Sequence, residues 1–96
     1  MSAIAGKKTV SPEELKKRHV WQCRRGIKEN EVMLERYLHE HFLEDTPEDQ
    51  ALFGRLLEAH DAELFEWFTG RSQPQDAELD DFIHRMLRRM APRKDA

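Results

Sequence analysis

The side chains with the greatest capacity for chemistry lie in one stretch, residues 21–31. Within it, Arg25, Gly26 and Glu29 bring a guanidinium, an uncovered backbone and a carboxylate close together in sequence. Such a group can hold the backbone and charged groups of a partner through directional hydrogen bonds. The same residues also suit a plain junction between two helices, with Arg25 at a helix end, Gly26 as a left-handed corner and Glu29 as a helix cap. The residues alone leave both interpretations open.

The remaining candidate side chains do not form a recognised catalytic or metal-binding pattern. No spacing among the five histidines matches a zinc template, so we expect scattered surface or boundary histidines. Cys23 stands beside Arg24 and Arg25, which can lower a thiol pKa, although its helical context favours a half-buried thiol. The chain contains no glycine-rich phosphate loop and no serine nucleophile motif. We therefore predict no catalytic residue and no metal ligand.

Helix start and stop signals divide the chain into five helices. Ser11-Pro12 and Thr46-Pro47 each combine a cap with proline at the first helical position. No segment alternates as a strand does, so we predict an all-α fold, a compact bundle of about five short helices. We expect one helical domain over residues 11–91, a flexible arm over 1–10 and a frayed tail over 92–96. The predicted helices run from Ser11 to about Arg24, from about Ile27 to Glu44, from Thr46 to about His60, from Asp61 to Gly70 and from Asp76 to Pro92.

Apolar residues recur at steps of three and four along the predicted helices, which is the pattern of a buried face. In the second helix this face includes Val32, Leu34 and Tyr37. Trp67 and Phe68 are predicted to be core residues. A partner-facing hydrophobic patch is the alternative for these two residues, because aromatic side chains are enriched at binding hot spots.

Charge is distributed unevenly along the 96 residues. Residues 1–28 carry eight Lys/Arg and two Asp/Glu, whereas residues 29–69 carry two Arg and twelve Asp/Glu. The acidic body disfavours nucleic acid as a partner, since phosphate binding needs a continuous basic face. No apolar run approaches the roughly 18 residues that span a membrane, and a single cysteine excludes an internal disulfide. We therefore expect a cytoplasmic protein that binds another protein and does not insert into a membrane.

The pattern Trp-x-Cys-Arg-Arg-Gly-x-x-Glu, at residues 21–29, resembles the signature of the succinate dehydrogenase flavinylation factor family, the FAD assembly factors. A second segment, Asp-x-x-Leu-Phe-x-Trp-Phe-x-Gly at residues 61–70, is similar to a family segment in the same register. The similarity spans about Leu15 to Met90. Mild departures occur at Ile27, Asn30 and Glu31, where the family frequently has Met, Leu and Asp. Of these, the change at Asn30 is expected to affect only local packing.

The resemblance implies a small five-helix protein that promotes covalent attachment of FAD to the flavoprotein subunit of succinate dehydrogenase, and in some bacteria of fumarate reductase. It implies an assembly factor and not an enzyme, with the FAD belonging to the client flavoprotein and no stably bound cofactor on the factor. The client is expected to bind a monomeric factor at Arg25, Gly26 and Glu29, near its flavin-linking histidine. The other residues expected to face the client are Trp21 and Arg24, with Lys28, Glu31 and Trp67 as secondary candidates.

Two alternatives to the assembly-factor interpretation stay open. The family has also been described as an antitoxin that acts on a membrane-associated toxin, and a small membrane protein that co-purifies would indicate that role. A free flavin-binding enzyme would purify yellow with retained FAD, but the missing phosphate-binding motif disfavours it.

Overall fold

The fold is given by a computed structural model that describes residues 11–91, so the predicted arm and tail, residues 1–10 and 92–96, lie outside the described residues. Five α-helices and one 3-10 turn form this region, which contains no strand, and the all-α prediction is thereby confirmed. None of the helices described is long and apolar enough to cross a membrane. The helices are α1 (Pro12–Gln22), α2 (Lys28–His41), α3 (Pro47–Leu56), α4 (Asp61–Phe68) and α5 (Ala77–Met90), and the 3-10 turn (Phe42–Glu44) follows α2.

Short-range hydrogen bonds explain where the helices begin. The Ser11 hydroxyl accepts a hydrogen bond from the Glu14 amide at 3.2 Å, and the Thr46 hydroxyl accepts one from the Asp49 amide at 3.1 Å. The Asp76 carboxylate accepts hydrogen bonds from two amides in the first turn of α5. Each cap satisfies amides that have no partner inside their own helix and stabilises that helix by about 1 kcal/mol.

Three helices end earlier than their sequence patterns predict, and in α2 the 3-10 turn takes over after His41. α1 ends at Gln22 and α3 ends at Leu56, both short of the predicted boundaries. The Arg25 guanidinium donates hydrogen bonds to the carbonyl oxygens of Gln22 and Leu57 at these two ends. A cation at a helix C-terminus is favourable because the last carbonyls lack partners within the helix. Helices α1 and α3 therefore end where the Arg25 side chain donates hydrogen bonds to their last carbonyl oxygens.

Glycine closes α4 but not α1. Gly70 has a φ of 78°, the left-handed conformation that favours glycine, and the Arg71 amide then reaches the Glu66 carbonyl at 2.8 Å. The helix-junction interpretation of the sequence gave Gly26 a left-handed corner of the same kind, and that detail is wrong, because Gly70 is the one residue of positive φ within residues 11–91. The Gly26 amide donates instead to the Asp61 carboxylate of α4.

The core is an aromatic cluster where α2, α3 and α5 meet. The rings of Tyr37 and Phe53 stack with 5.5 Å between their centroids, and those of Phe42 and Phe82 pack against them at steeper angles. All four side chains are almost fully buried, which agrees with the predicted helical stripes. Burying each large apolar side chain contributes about 1.5–3 kcal/mol. Val32, which was predicted on the same stripe, is 52% exposed and faces outward.

Candidate functional site

The loop that joins α1 to α2 folds against the N-terminus of α4 through a single carboxylate, that of Asp61. Oδ1 of Asp61 accepts a hydrogen bond from Nε of Arg25 at 2.7 Å. Oδ2 accepts hydrogen bonds from the backbone amides of Gly26 at 2.7 Å and Ile27 at 3.2 Å. We call residues 24–29 the corner. Three successive residues of the corner are therefore held by one side chain of another helix.

The Arg25 guanidinium points into the protein. Nη1 donates hydrogen bonds to the carbonyl oxygens of Gln22 and Leu57, and Nη2 donates one to that of Ala59. Only 12% of the side chain is exposed. Of the two interpretations that the sequence left open, this geometry agrees with Arg25 at a helix end and not with an outward guanidinium, because carbonyl oxygens and the Asp61 carboxylate draw the cation inward. Arg25 thus organises the corner from its inner side.

Asn30 joins the same cluster from the first turn of α2. Its Nδ2 atom donates a hydrogen bond to the backbone oxygen of Asp61 at 2.9 Å and lies 3.4 Å from Oδ1 of the same residue. The side chain is fully buried, and its Oδ1 atom has no hydrogen-bond partner among the described residues. The prediction that Asn30 affects only local packing is therefore wrong. A polar residue at a position that is frequently leucine in the family was the available signal for a buried polar contact.

The surroundings of Asp61 favour its charged form. Burial by itself raises the pKa of this carboxyl, but hydrogen bonds from the Arg25 side chain, two corner amides and Asn30 outweigh burial and hold the pKa below its ordinary value. Glu31 supplies a further acceptor, since its Oε1 atom accepts a hydrogen bond from the Arg25 amide at 3.3 Å. The sequence analysis placed Asp61 at a helix start and in a motif segment but assigned it no partner in the corner.

Exposed residues on and beside the corner include an aromatic ring and a carboxylate. Trp21 is 71% exposed, and the Arg24 guanidinium lies over its ring, 5.5 Å from the centroid. Gly26 is exposed, as are Lys28 and Glu29 in the first turn of α2. Large exposed aromatic rings are enriched at binding hot spots. The structure therefore brings these predicted site residues together at the α1–α2 junction.

Trp67 lies apart from the corner. It follows Asp61 by six residues in α4, which corresponds to about 9 Å along the helix axis. Its ring is half-buried and packs against the core beside Phe68. It also lines a surface cavity of about 350 Å³ together with Ile83 and Leu87. This placement agrees with the core position predicted for Trp67.

Cys23 and His19 are both buried within residues 11–91. Cys23 is fully buried, and burial raises its thiol pKa to about 12, with the charge of Glu35 adding to the effect and that of Arg25 opposing it. The lowered pKa considered from the neighbouring arginines is therefore not found. His19 is also buried, between two phenylalanine rings, and not at the surface as expected. No group of three or more potential metal ligands occurs within residues 11–91.

Comparison with known proteins identifies the family. A family profile described as flavinator of succinate dehydrogenase matches residues 17–90. The chain belongs to this family. The FAD assembly factor SdhE of Pseudomonas aeruginosa is 40% identical over 76 residues, which cover 79% of this chain and 90% of that protein. Proteins of the same name from Idiomarina loihiensis and Shewanella oneidensis are each 39% identical, over 78% and 75% of this chain and 83% and 88% of their own lengths.

The region matched to the flavinator family contains the whole hydrogen-bonded cluster. Residues 17–90 include the corner, Asp61 and Asn30. The family predicted from the two motif segments is therefore confirmed, and the motif residues are those that form the α1–α2 junction and its contact with α4.

Proposed function

We propose that this flavinator-family protein promotes covalent attachment of FAD to the flavoprotein subunit of succinate dehydrogenase, and that it acts as an assembly factor and not as an enzyme. The observation that carries the proposal is the family match over residues 17–90, which the relatives named FAD assembly factors support. The FAD belongs to the client flavoprotein, and the factor retains no cofactor of its own. The sequence has no glycine-rich phosphate-binding motif, which supports that assignment.

The client binds the outward side of the corner. Gly26 supplies exposed backbone without a side chain, and Glu29 supplies an exposed carboxylate. The Trp21 ring, with Arg24 over it, adds an apolar anchor of the kind found at binding hot spots. Arg25 contributes through its backbone and through the shape that its inward side chain gives the corner. The secondary candidates are Lys28 and Glu31 in the first turn of α2 and the half-buried Trp67 in α4.

Binding at this surface promotes flavinylation by positioning. The covalent bond joins a client histidine to the 8α-methyl group of the flavin, so these two groups must be aligned. A factor that holds the FAD domain of the client in the aligned conformation lowers the barrier through proximity and orientation. The Glu29 carboxylate and the peptide dipoles of the corner add an electrostatic contribution that polarises the flavin ring. The reacting atoms all belong to the client and its FAD.

The proposal extends to the setting in which the protein acts. We place it in the cytoplasm as a monomer that pairs transiently with its client, and its single cysteine, a buried free thiol, agrees with a reducing compartment. The flavoprotein subunit of fumarate reductase is a second client that the family resemblance implies. The acidic composition of residues 29–69 supports a protein partner over nucleic acid.

The test is in-gel flavin fluorescence of the denatured flavoprotein subunit, which detects only covalently attached FAD. The subunit is produced with the wild-type factor, without it, with Glu29→Ala and with Glu48→Ala. Glu48 is a matched control, because it is an exposed glutamate in the first turn of α3. We expect strong fluorescence with the wild-type factor and with Glu48→Ala, and a severalfold loss with Glu29→Ala.

Equal fluorescence in every lane, under conditions where an established factor increases it, would contradict the proposal. The corner would then be a structural junction between helices. Co-purification of a small membrane protein in place of the flavoprotein would favour the antitoxin-like interaction.

A further inference from the structure

We infer that Asp61 is the positioning residue of the corner, and that it turns the corner into a surface of hydrogen-bond acceptors for donor groups of the client. This inference rests on the proposed function and concerns a residue that acts through its neighbours. Asp61 holds Arg25, Gly26 and Ile27 with a single carboxylate, so it determines which way the backbone of the corner faces.

The direction of two peptide groups carries the argument. The amides of Gly26 and Ile27 both point at Oδ2 of Asp61. In a trans peptide the carbonyl points opposite to the amide of the next residue, and no cis peptide bond occurs among the described residues. The carbonyl oxygens of Arg25 and Gly26 therefore point away from Asp61. Neither carbonyl accepts a backbone hydrogen bond from within residues 11–91.

The corner consequently offers acceptors at its centre and keeps the Arg25 cation inside. The two carbonyl groups come shortly before the exposed Glu29 carboxylate in the chain. The Arg25 guanidinium is occupied by Asp61 and by three carbonyl oxygens. Arg24 and Lys28 are exposed cations that flank these acceptors. The centre of the surface thus fits N–H donors of the client, either backbone amides or the side chains of lysine and arginine.

Asp61 suits this role because it is itself held in place. It is the first residue of α4, where the helix dipole favours a carboxylate, and Asn30 donates hydrogen bonds to both its backbone and its side chain. A Cβ atom added to Gly26 would lie 3.2 Å from Oδ2 of Asp61. The absence of a side chain at Gly26 therefore leaves the space in which the Asp61 carboxylate lies.

The test compares Asp61→Asn with Asp45→Asn. Asp45 is held by Tyr37 and Arg89 on the α2–α5 side of the protein, so its amide variant loses similar contacts without touching the corner. Both variants are studied at a temperature where circular dichroism shows them folded. Two quantities are measured, namely hydrogen exchange of the corner amides that face Asp61, and the Kd for the flavoprotein subunit of succinate dehydrogenase. We expect Asp61→Asn to accelerate that exchange and to raise the Kd about tenfold, and Asp45→Asn to change neither.

The outcomes separate this inference from the proposed function. A Kd that Asp61→Asn leaves unchanged, or corner amides that stay protected in that variant, would overturn the positioning role while the wild-type protein still binds. A wild-type protein that does not bind the flavoprotein would overturn the proposed function as well. If Asp61→Asn does not fold, Asp61→Ser replaces it in the same measurements, because the serine hydroxyl still accepts hydrogen bonds but is shorter and uncharged.

Discussion

Nε of Arg25 and Oδ1 of Asp61 lie 2.7 Å apart, although 36 residues separate them in the chain. Their ion pair joins the α1–α2 loop to the first turn of α4, and the same guanidinium reaches the end of α3 through the carbonyl of Leu57. Only 12% of the Arg25 side chain is exposed. Removing one partner of such a pair leaves a poorly solvated charge, which destabilises a protein more than the loss of a surface ion pair does. The Arg25 guanidinium therefore holds three segments together: the α1–α2 loop, the end of α3 and the first turn of α4.

Gly26→Ala is expected to impair client flavinylation more than it impairs folding. Gly26 does not need a positive φ, so alanine is acceptable to the backbone, but its Cβ atom would lie 3.2 Å from Oδ2 of Asp61. This carboxylate accepts hydrogen bonds from residues of the corner. Displacing it would weaken those hydrogen bonds and so loosen the corner. We expect a loss of about 1 kcal/mol in the free energy of unfolding and a severalfold loss of covalent flavin, measured by denaturation and by in-gel fluorescence.

Gly70→Ala is the matched control for this prediction. Gly70 has a φ of 78° and open space where a Cβ atom would lie. Alanine there costs about 1 kcal/mol through backbone strain alone and does not touch the corner. We expect Gly26→Ala and Gly70→Ala to lose the same stability. Only Gly26→Ala is expected to reduce flavinylation. If Gly70→Ala reduced flavinylation as strongly, the effect of Gly26 would come from stability and not from the corner.

Acid is expected to remove the contribution of Asp61 to stability. The pKa of Asp61 in the folded protein lies below its ordinary value, which is about 3.9 for an aspartate in an unfolded chain. The stabilisation is therefore fully present above about pH 4 and is lost as the pH falls through the folded-state pKa. The free energy of unfolding of the wild type and of Asp61→Asn is measured by urea denaturation between about pH 6 and pH 3. We expect the wild type to be more stable than Asp61→Asn near pH 6, and this difference to decrease as the pH falls.

Glu58→Gln provides the comparison for the acid series, because Glu58 is an exposed carboxylate outside the Asp61 cluster. It is measured over the same pH range and shows the general effect of removing one exposed carboxylate. A difference between the wild type and Asp61→Asn that did not change with pH would show that the hydrogen bonds of Asp61 do not favour its charged form.

The helices were predictable because their signals are local. The caps at Ser11 and Thr46 act on amides three residues ahead, and this short range is visible in the sequence. The repeat of apolar residues likewise predicted Tyr37 and Phe53 in the core. Periodicity identifies the buried face of a helix but not its edges, so Val32 was assigned to that face although it is half exposed.

The geometry of the corner was not predictable, because it depends on contacts between distant segments. Arg25 turns inward because the fold brings to it the Leu57 carbonyl at the end of α3 and the Asp61 carboxylate at the start of α4. The motif residues therefore meet at one junction in the fold, whereas an outward Arg25 guanidinium and a left-handed Gly26 are not found. Asn30 was misjudged for the same reason, since its partner is also Asp61.

Asn30→Leu is expected to leave stability unchanged or to raise it. Asn30 is fully buried and its Oδ1 atom has no partner among the described residues, an arrangement that costs about 1–3 kcal/mol. Leucine removes this acceptor and buries more apolar surface. It loses the two hydrogen bonds to Asp61, each of which contributes about 0.5–1.5 kcal/mol. Thermal denaturation followed by circular dichroism measures the balance.

Asn30→Asp is the opposing variant, because it places a second carboxylate against Asp61 in a buried position. We expect it to destabilise the protein clearly at neutral pH, where either two negative charges lie together or one carboxyl group must take up a proton. A strong loss of stability in Asn30→Leu would contradict the first prediction and would show that the amide contact with Asp61 outweighs the unpaired acceptor.

Cys23 is expected to resist thiol reagents in the native protein. Its side chain is fully buried, and burial raises the thiol pKa to about 12, so almost no accessible thiolate exists at neutral pH. Labelling with a chromogenic disulfide near pH 8 is expected to be slow in buffer and rapid in denaturant. Because labelling requires local opening, its rate is expected to rise in Asp61→Asn, which releases the loop that follows Cys23. Rapid labelling of the native wild type would contradict both the burial of the thiol and the tight closure of the corner.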